Sequence, residues 1–255
     1  MNLQHQPFLV TGAASGLGAA TAMALAQHGA RVALLDRHAE ALGRVATGCP
    51  TSTCTAVADI TDARQVQQAI EQAVDHLGGL RGVVHCAGVA HAARIYGRQG
   101  PMPLEQFRQV VEVNLVGTFN LMRLTVPAMA QMEPLEDGER GVIVNTASCA
   151  AFEGQIGQVA YAASKAGVVG MTLPAARELA RFGIRVVTIA PGTFETPMME
   201  NMPQQVRESL LQQIPFPPRF GQPEEFAQLA LHVITNRMLN GCTLRLDGAL
   251  RMGPK

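Results

Sequence analysis

The sequence predicts one α/β domain, a parallel sheet covered by helices on both faces. Three observations lead there. Strand-like and helix-like stretches alternate along the 255 residues, as in right-handed strand–helix–strand units. Runs such as VALL and VIV are apolar without alternation, as strands buried on both faces should be. Hydrophobic residues make up 47% of the chain and charged ones only 16%, enough apolar surface for a large core. No repeat, linker or low-complexity tract divides it.

The elements follow in order. FLVTG (8–12) is a short buried run ending in glycine. An Ala-rich helix over 16–29 stops at Gly29, a residue suited to the turn that ends a helix. RVALLD (31–36) is the second strand. A helix around 38–45, a strand around 53–58 and a helix over 62–77 lead to LRGVVHCAG (80–88), a fourth strand running into a Gly turn. Residues 104–132 carry one long helical pattern, and GVIVNTAS (141–148) is the fifth strand. Residues 158–182 form a helix closed by Gly183, with Pro174 inside it as a place for a kink. IRVVTIAPG (184–192) is the sixth strand, and a helix near 223–235 precedes the last strand near 242–246.

Composition narrows the function. Formal net charge is zero, and no basic stripe or charge block points to nucleic acid or a membrane surface. No apolar run reaches the roughly eighteen residues of a membrane span. MNLQHQPFLVTG has neither the basic start nor the apolar stretch of a signal peptide, so a cytoplasmic location is expected. The five cysteines (Cys49, Cys54, Cys86, Cys149, Cys242) are irregularly spaced and read as reduced thiols. No second ligand pair follows Cys49 and Cys54 at zinc spacing, so no metal is expected.

One end of the predicted sheet suits a nucleotide. In TGAASGLG (11–18) Gly12 permits a tight turn, and Gly16 and Gly18 let backbone and helix approach a dinucleotide. The helix N-terminus then offers free N–H groups to the pyrophosphate; an ordinary Gly-rich turn is the alternative. Asp36, ending the second strand, can accept hydrogen bonds from the adenosine ribose and repels a 2′-phosphate, which favours NAD over NADP. The neighbouring Arg37 could pair with such a phosphate and complicates this reading; a solvated arginine is preferred. Asp59 either caps the next turn or reaches the adenine. Cys86, Ala87 and Gly88 close the fourth strand at the same sheet edge, where open α/β sheets bind ligands.

The other end suits proton transfer. The chain has only two tyrosines and two lysines against eighteen arginines, yet Tyr161 and Lys165 stand four residues apart, on one helix face. A free phenol, with a pKa of about 10, is a poor base near neutrality. A neighbouring ammonium is expected to lower that pKa and so to fit the tyrosine for acid–base work at a carbinol or carbonyl oxygen. A compact ammonium suits such a corner better than a guanidinium fork. Ser148 is placed to hold the same oxygen, and Asn114, in VNLVGTF, to hold a water behind the lysine. A snorkelling surface pair is the bland alternative for Tyr161 and Lys165 taken alone.

Together TGAASGLG, Asp36, CAG, Asn114, Ser148, YxxxK and PGTFETP occur in the order seen in the short-chain dehydrogenase/reductase family, which the whole chain resembles. The stretches RGVIVNTASCAAFEGQIGQVAYAASKAGVVGMTLPAARELA, IRVVTIAPGTFETP, IPFPPRFGQPEEFA and RLDGALRM resemble its type II 3-hydroxyacyl-CoA dehydrogenase group, which overlaps a 17β-hydroxysteroid dehydrogenase type. The resemblance implies a doubly wound Rossmann fold with a seven-stranded parallel sheet, and a homotetramer. It implies NAD-dependent hydride transfer at the 3-carbon of a hydroxyacyl thioester. Tyr161 would be the acid/base, Ser148 would orient the substrate oxygen, Lys165 would bind the nicotinamide ribose and tune Tyr161, and Asn114 would complete a proton relay. Ser15, Leu17, Asp36, Asp59, Ile60, Cys86, Tyr161, Lys165 and Phe194 would line the cofactor. VHCAG departs from the NNAG of many relatives, with His85, read as a satisfied core histidine, where an asparagine is usual.

Two segments are expected to shape the substrate side. These are AHAARIYGRQGPMP (90–103), whose Arg94 and Arg98 are candidates for CoA phosphates, and the Pro- and Met-rich stretch 194–221, read as a mobile lid. Dehydrogenation of a steroid or other secondary alcohol is the competing activity. A cofactor-binding scaffold without turnover is the competing class, and an intact Ser148, Tyr161 and Lys165 argues against it.

Overall fold

Seven parallel strands form one sheet in the order β3-β2-β1-β4-β7-β8-β9. The computed structural model describes residues 1–200 and 202–254, the side chains of Met198 and Glu200 excepted. The strands are β1 (Pro7–Thr11), β2 (Arg31–Asp36), β3 (Thr53–Val57), β4 (Gly82–His85), β7 (Gly141–Thr146), β8 (Ile184–Pro191) and β9 (Thr243–Leu246), with β5 (Tyr96–Gly97) and β6 (Gly100–Pro101) making a separate small hairpin. Between them run α1 (Gly16–Gln27), α2 (Ala39–Gly48), α3 (Ala63–Leu77), α4 (Leu104–Val111), α5 (Thr118–Ala130), α6 (Val159–Leu179), α7 (Pro197–Glu200), α8 (Gln204–Gln212) and α9 (Pro223–Thr235).

The apolar runs are explained by two cores, one on each face of the sheet. Phe8, Val10, Val32, Leu34 and Val144 face α1 and α9. Their chain neighbours Leu9, Ala33, Leu35 and Ile143 face the opposite core with α3 and α5. Each strand residue is therefore buried whichever way it points. The sheet winds outward in both directions from β1, so a crevice opens between the C-terminal ends of β1 and β4, the place where such sheets hold ligands.

Several boundaries differ from the sequence reading. The helix expected over 104–132 is α4 and α5 joined by a π-helical turn, Glu112–Gly117. One extra residue in that turn swings Asn114 inward, where it is fully buried, and a 3.6-residue pattern cannot register such an insertion. Pro174 does not interrupt α6; the carbonyl it leaves without a donor belongs to Gly170, on the exposed face. The fourth strand is only Gly82–His85, so Cys86, Ala87 and Gly88 lie in the turn beyond it. The stretch 194–221 is not a plain loop but carries α7 and α8; its Asn201 lies outside the described residues. The loop 90–103 holds the β5–β6 hairpin.

Candidate active site

A cleft of about 550 Å³ opens at the C-terminal ends of the strands. The catalytic and cofactor candidates of the sequence reading line it, Asn114 excepted: Gly12, Ser15, Gly16, Leu17 and Gly18 from the first turn, Asp36, Asp59 and Ile60, Cys86, Ala87 and Gly88, then Ser148, Tyr161, Lys165 and Phe194.

The first turn is built for close approach. Gly12 has φ +65°, and a Cβ there would lie 2.6 Å from the Ala87 nitrogen, so only glycine fits. A Cβ on Gly18 would strike the Gly12 main chain. Ser15 caps α1 without engaging its side chain, and no acid stands in the first turn. The helix N-terminus thus faces the cleft with N–H groups free for an anion. A nicotinamide dinucleotide fits this cradle: a Cβ-free floor, a free helix N-terminus and a carboxylate at the next strand end.

That carboxylate, Asp36, accepts from Ala14 N at 3.2 Å through Oδ2 and from His38 N at 3.1 Å through Oδ1. The His38 ring also lies 3.0 Å from Oδ1. His38 and Arg37 line the same end of the cleft. Asp59 caps its own turn: Oδ1 accepts from Thr61 N at 2.9 Å and from the Thr61 hydroxyl at 2.7 Å. Capping and lining the cleft are therefore compatible. Phe194 is buried and bridges to Gly221, whose missing side chain makes room for its ring.

The reacting residues come from β7 and α6. Ser148 ends the strand's exit and caps the next turn, its Oγ accepting from Ala150 N at 3.1 Å. The same hydroxyl works against the rise in the Tyr161 pKa that burial causes. Burial wins, and the Tyr161 pKa stands above its ordinary value. The expected lowering by the lysine is thus overturned. Lys165 Nζ donates to Thr146 O at 2.9 Å and stands 5.9 Å from the Tyr161 ring centre. Its own pKa is pushed down to about 8 by burial. Cys86 beside it is pushed up to about 11 by burial, so this thiol is no nucleophile near neutrality.

Asn114 stands behind this corner. Its Nδ2 donates to Val89 O at 2.9 Å and to the Ser164 hydroxyl at 3.1 Å, and its Oδ1 accepts from Val89 N at 2.8 Å. Both amide protons are engaged by protein, and Oδ1 keeps a second lone pair beyond its bond from Val89 N. A Cβ on Gly88 would lie 3.1 Å from Asn114 Oδ1 and 3.5 Å from Lys165 Nζ; that glycine lets the asparagine and the lysine close on the turn.

His85 is buried with its Nδ1 2.9 Å from Asn145 Oδ1. Among the described residues its Nε2 and Asn145 Nδ2 have no hydrogen-bond partner, so it is only half satisfied, against the sequence reading. Burial pushes its pKa down to about 4.

Beyond Ser148 the cleft turns apolar, with Ile156, Met199, Met202, Val206, Leu210 and Met252 on its walls. Sequence reasoning missed Cys149, Ile156 and Met252. Cys149 and Ile156 flank Ser148 and α6 and were within reach of a neighbour argument, but nothing marks Met252. Arg94 and Arg98 are exposed and line no part of the cleft.

Comparison with known proteins agrees with this architecture. The family model described as short chain dehydrogenase matches residues 6–207. A 3-hydroxyacyl-CoA dehydrogenase type-2 from Bos taurus is 50% identical, the match covering 96% of this chain and 95% of the relative. One of the same name from Drosophila melanogaster is 50% identical over 96% and 97%. The crystal structure of a 3-hydroxyacyl-CoA dehydrogenase type-2 from Mycobacterium avium superimposes with a TM-score of 0.93 at 43% identity, covering 98% of each chain.

Proposed function

The chain belongs to the short-chain dehydrogenase family, and from that premise we propose that it interconverts 3-hydroxyacyl-CoA and 3-oxoacyl-CoA with NAD. It is an oxidoreductase; the substrate and the choice of NAD are the finer reading. The observation that carries it is the meeting of Ser148, Tyr161 and Lys165 in one cleft, where a glycine-lined groove gives way to an apolar chamber. Asp36 supports NAD, because a carboxylate at the ribose end repels a 2′-phosphate.

Bound NAD supplies a hydride acceptor, and the cofactor carries that chemistry. The chain handles the proton and the geometry. In oxidation the Tyr161 phenolate would take the proton of the C3 hydroxyl as hydride leaves the same carbon; in reduction the phenol would give its proton to the carbonyl oxygen and become the phenolate. The Ser148 hydroxyl holds this oxygen beside the phenol. Lys165 presents an ammonium to the ribose side of the corner. Asn114 completes the group: it fixes Val89 and Ser164 beside Lys165, and it is the residue that would complete a proton relay behind that lysine.

The chain's domain runs over 1–255, with 90–103 and 194–221 as the substrate loop and lid. Leu104, Val116 and Phe119 along α4–α5, and Val159 and Leu173 on α6, stay exposed, which supports a homotetramer joined at these faces. Among the described residues no helix is long and apolar enough to cross a membrane; a cytoplasmic location is part of the proposal.

A second reading, a steroid or other secondary alcohol as substrate, is favoured by the chamber's apolar walls and by Arg94 and Arg98 lying outside the cleft. The deciding experiment follows NADH absorbance with a short 3-hydroxyacyl-CoA beside a steroid panel, for wild type and Tyr161→Phe. Wild type should prefer the thioester, and the variant should lose about a thousandfold in kcat. Because burial raises the phenol's pKa, wild-type oxidation should climb with pH above neutrality. Unchanged turnover in the variant rejects the role of Tyr161, and preference for a steroid rejects the thioester.

A further inference from the structure

The apolar chamber is walled by a small core of its own. Cys149, Met199, Ile214, Phe220 and Leu250 pack together, with Met252 half-buried against them. Three segments distant in sequence meet there: the turn after β7, the lid with α7 and α8, and the last described residues. That last segment is tied on both sides. On the fixed side Ile156 N donates to Pro254 O at 2.9 Å and Gln155 Nε2 donates to Gly253 O at 3.3 Å. On the lid side Gly253 N donates to Gln213 Oε1 at 3.1 Å. Between these ties Met252 lines the cleft, and its Sδ accepts from the Cys149 thiol at 3.3 Å. Cys149 adjoins Ser148, so the thioether sits one residue from the hydroxyl that holds the reacting oxygen.

We propose that Met252 is the specificity-determining residue of the chamber, limiting the length and bulk of the apolar group it admits. The identity of the substrate rests on the thioester reading; the geometry of the wall does not. Three hydrogen bonds hold the main chain on either side of Met252, so the limit falls first to the side chain. A methionine there is a soft wall, unbranched and free at three torsions. Shortening it deepens the chamber, and an aromatic ring in its place closes it. One methylene's worth of pocket changes relative rates by about tenfold or more.

The test measures kcat/KM for straight-chain 3-hydroxyacyl-CoA substrates of about four to about twelve carbons with wild type, Met252→Ala, Met252→Phe and the volume-matched Met252→Leu. Met252→Ala should raise the long-to-short ratio about tenfold, Met252→Phe should lower it by a similar factor, and Met252→Leu should keep the wild-type profile. A common factor at all lengths, or a shift of the same sign in Ala and Phe, overturns the proposal. If Met252→Ala does not fold, the sign of the shift in Met252→Phe decides alone. Wild type that turns over no thioester overturns the substrate reading instead. The same ratio taken on secondary alcohols of increasing length then judges Met252.

Discussion

The glycine-lined groove and the apolar chamber share one cleft but are built differently. The groove is main chain on strand ends: Gly12 against Ala87, Gly18 against Gly12, Asp36 fastened to Ala14 N. Its parts are held by a sheet buried on both faces, and little in it can move. The chamber is side chains on short helices and the last described residues, joined by a small cluster and a few hydrogen bonds. Substitution in the groove should therefore remove function outright, whereas substitution in the chamber should redirect it.

The sharpest way to break that contrast is Lys165→Arg, at the boundary of the two regions. Charge is kept, but Nζ donates to Thr146 O beside the turn at Gly88, a point contact that a planar fork matches poorly. Steady-state kcat should fall by at least about a hundredfold; near-wild-type kcat would mean that charge alone suffices. Asp36→Ala should act more mildly, because it removes a repulsion rather than a support. A like-charge contact costs several kcal/mol, so the NADP-to-NAD ratio of kcat/KM should rise by on the order of a hundredfold while thioester preference stays put. An unmoved ratio would mean that another group discriminates.

The smallest effect concerns the floor under both regions, where His85 and Asn145 pair across β4 and β7. Burial holds the His85 pKa near about 4, below the roughly 6.5 of an unfolded chain. As pH falls from the higher value to the lower, the unfolded state binds a proton that the folded state refuses, so stability falls across that window. The loss should reach about 3 kcal/mol. His85→Asn should flatten this part of the stability-versus-pH curve in thermal melts while leaving the chain-length profile untouched. An unchanged curve would remove His85 as the source.

The groove was legible because its chemistry is local. Gly12, Gly16 and Gly18 lie within one turn, Asp36 ends a strand, and Gly88 lies in the turn just after another, and both strands' apolar runs are plain in the sequence. Tyr161 and Lys165 were legible for the same reason, at one helical turn's spacing. What the spacing misjudged was electrostatic: the phenol's pKa depends on how deeply Tyr161 is buried where α6 packs on β8 and the turn after β7, and depth is not a local property. The placing of Asn114 was not legible either, since the π-helical turn that aims its amide at Val89 and Ser164 adds one residue to an otherwise regular helical pattern.

By itself, then, the sequence determined the layered α/β architecture, the seven strands and the residues at the strand ends. Burial on both faces leaves an unbroken apolar signature, and a close main-chain approach admits only glycine. Tertiary structure alone decided the walls of the chamber. Met252, Cys149 and Gln213 meet only because the sheet and α6 bring the turn after β7 beneath the lid. No composition or period joins residues so distant along the chain, because their contact depends on three-dimensional packing rather than on any local preference.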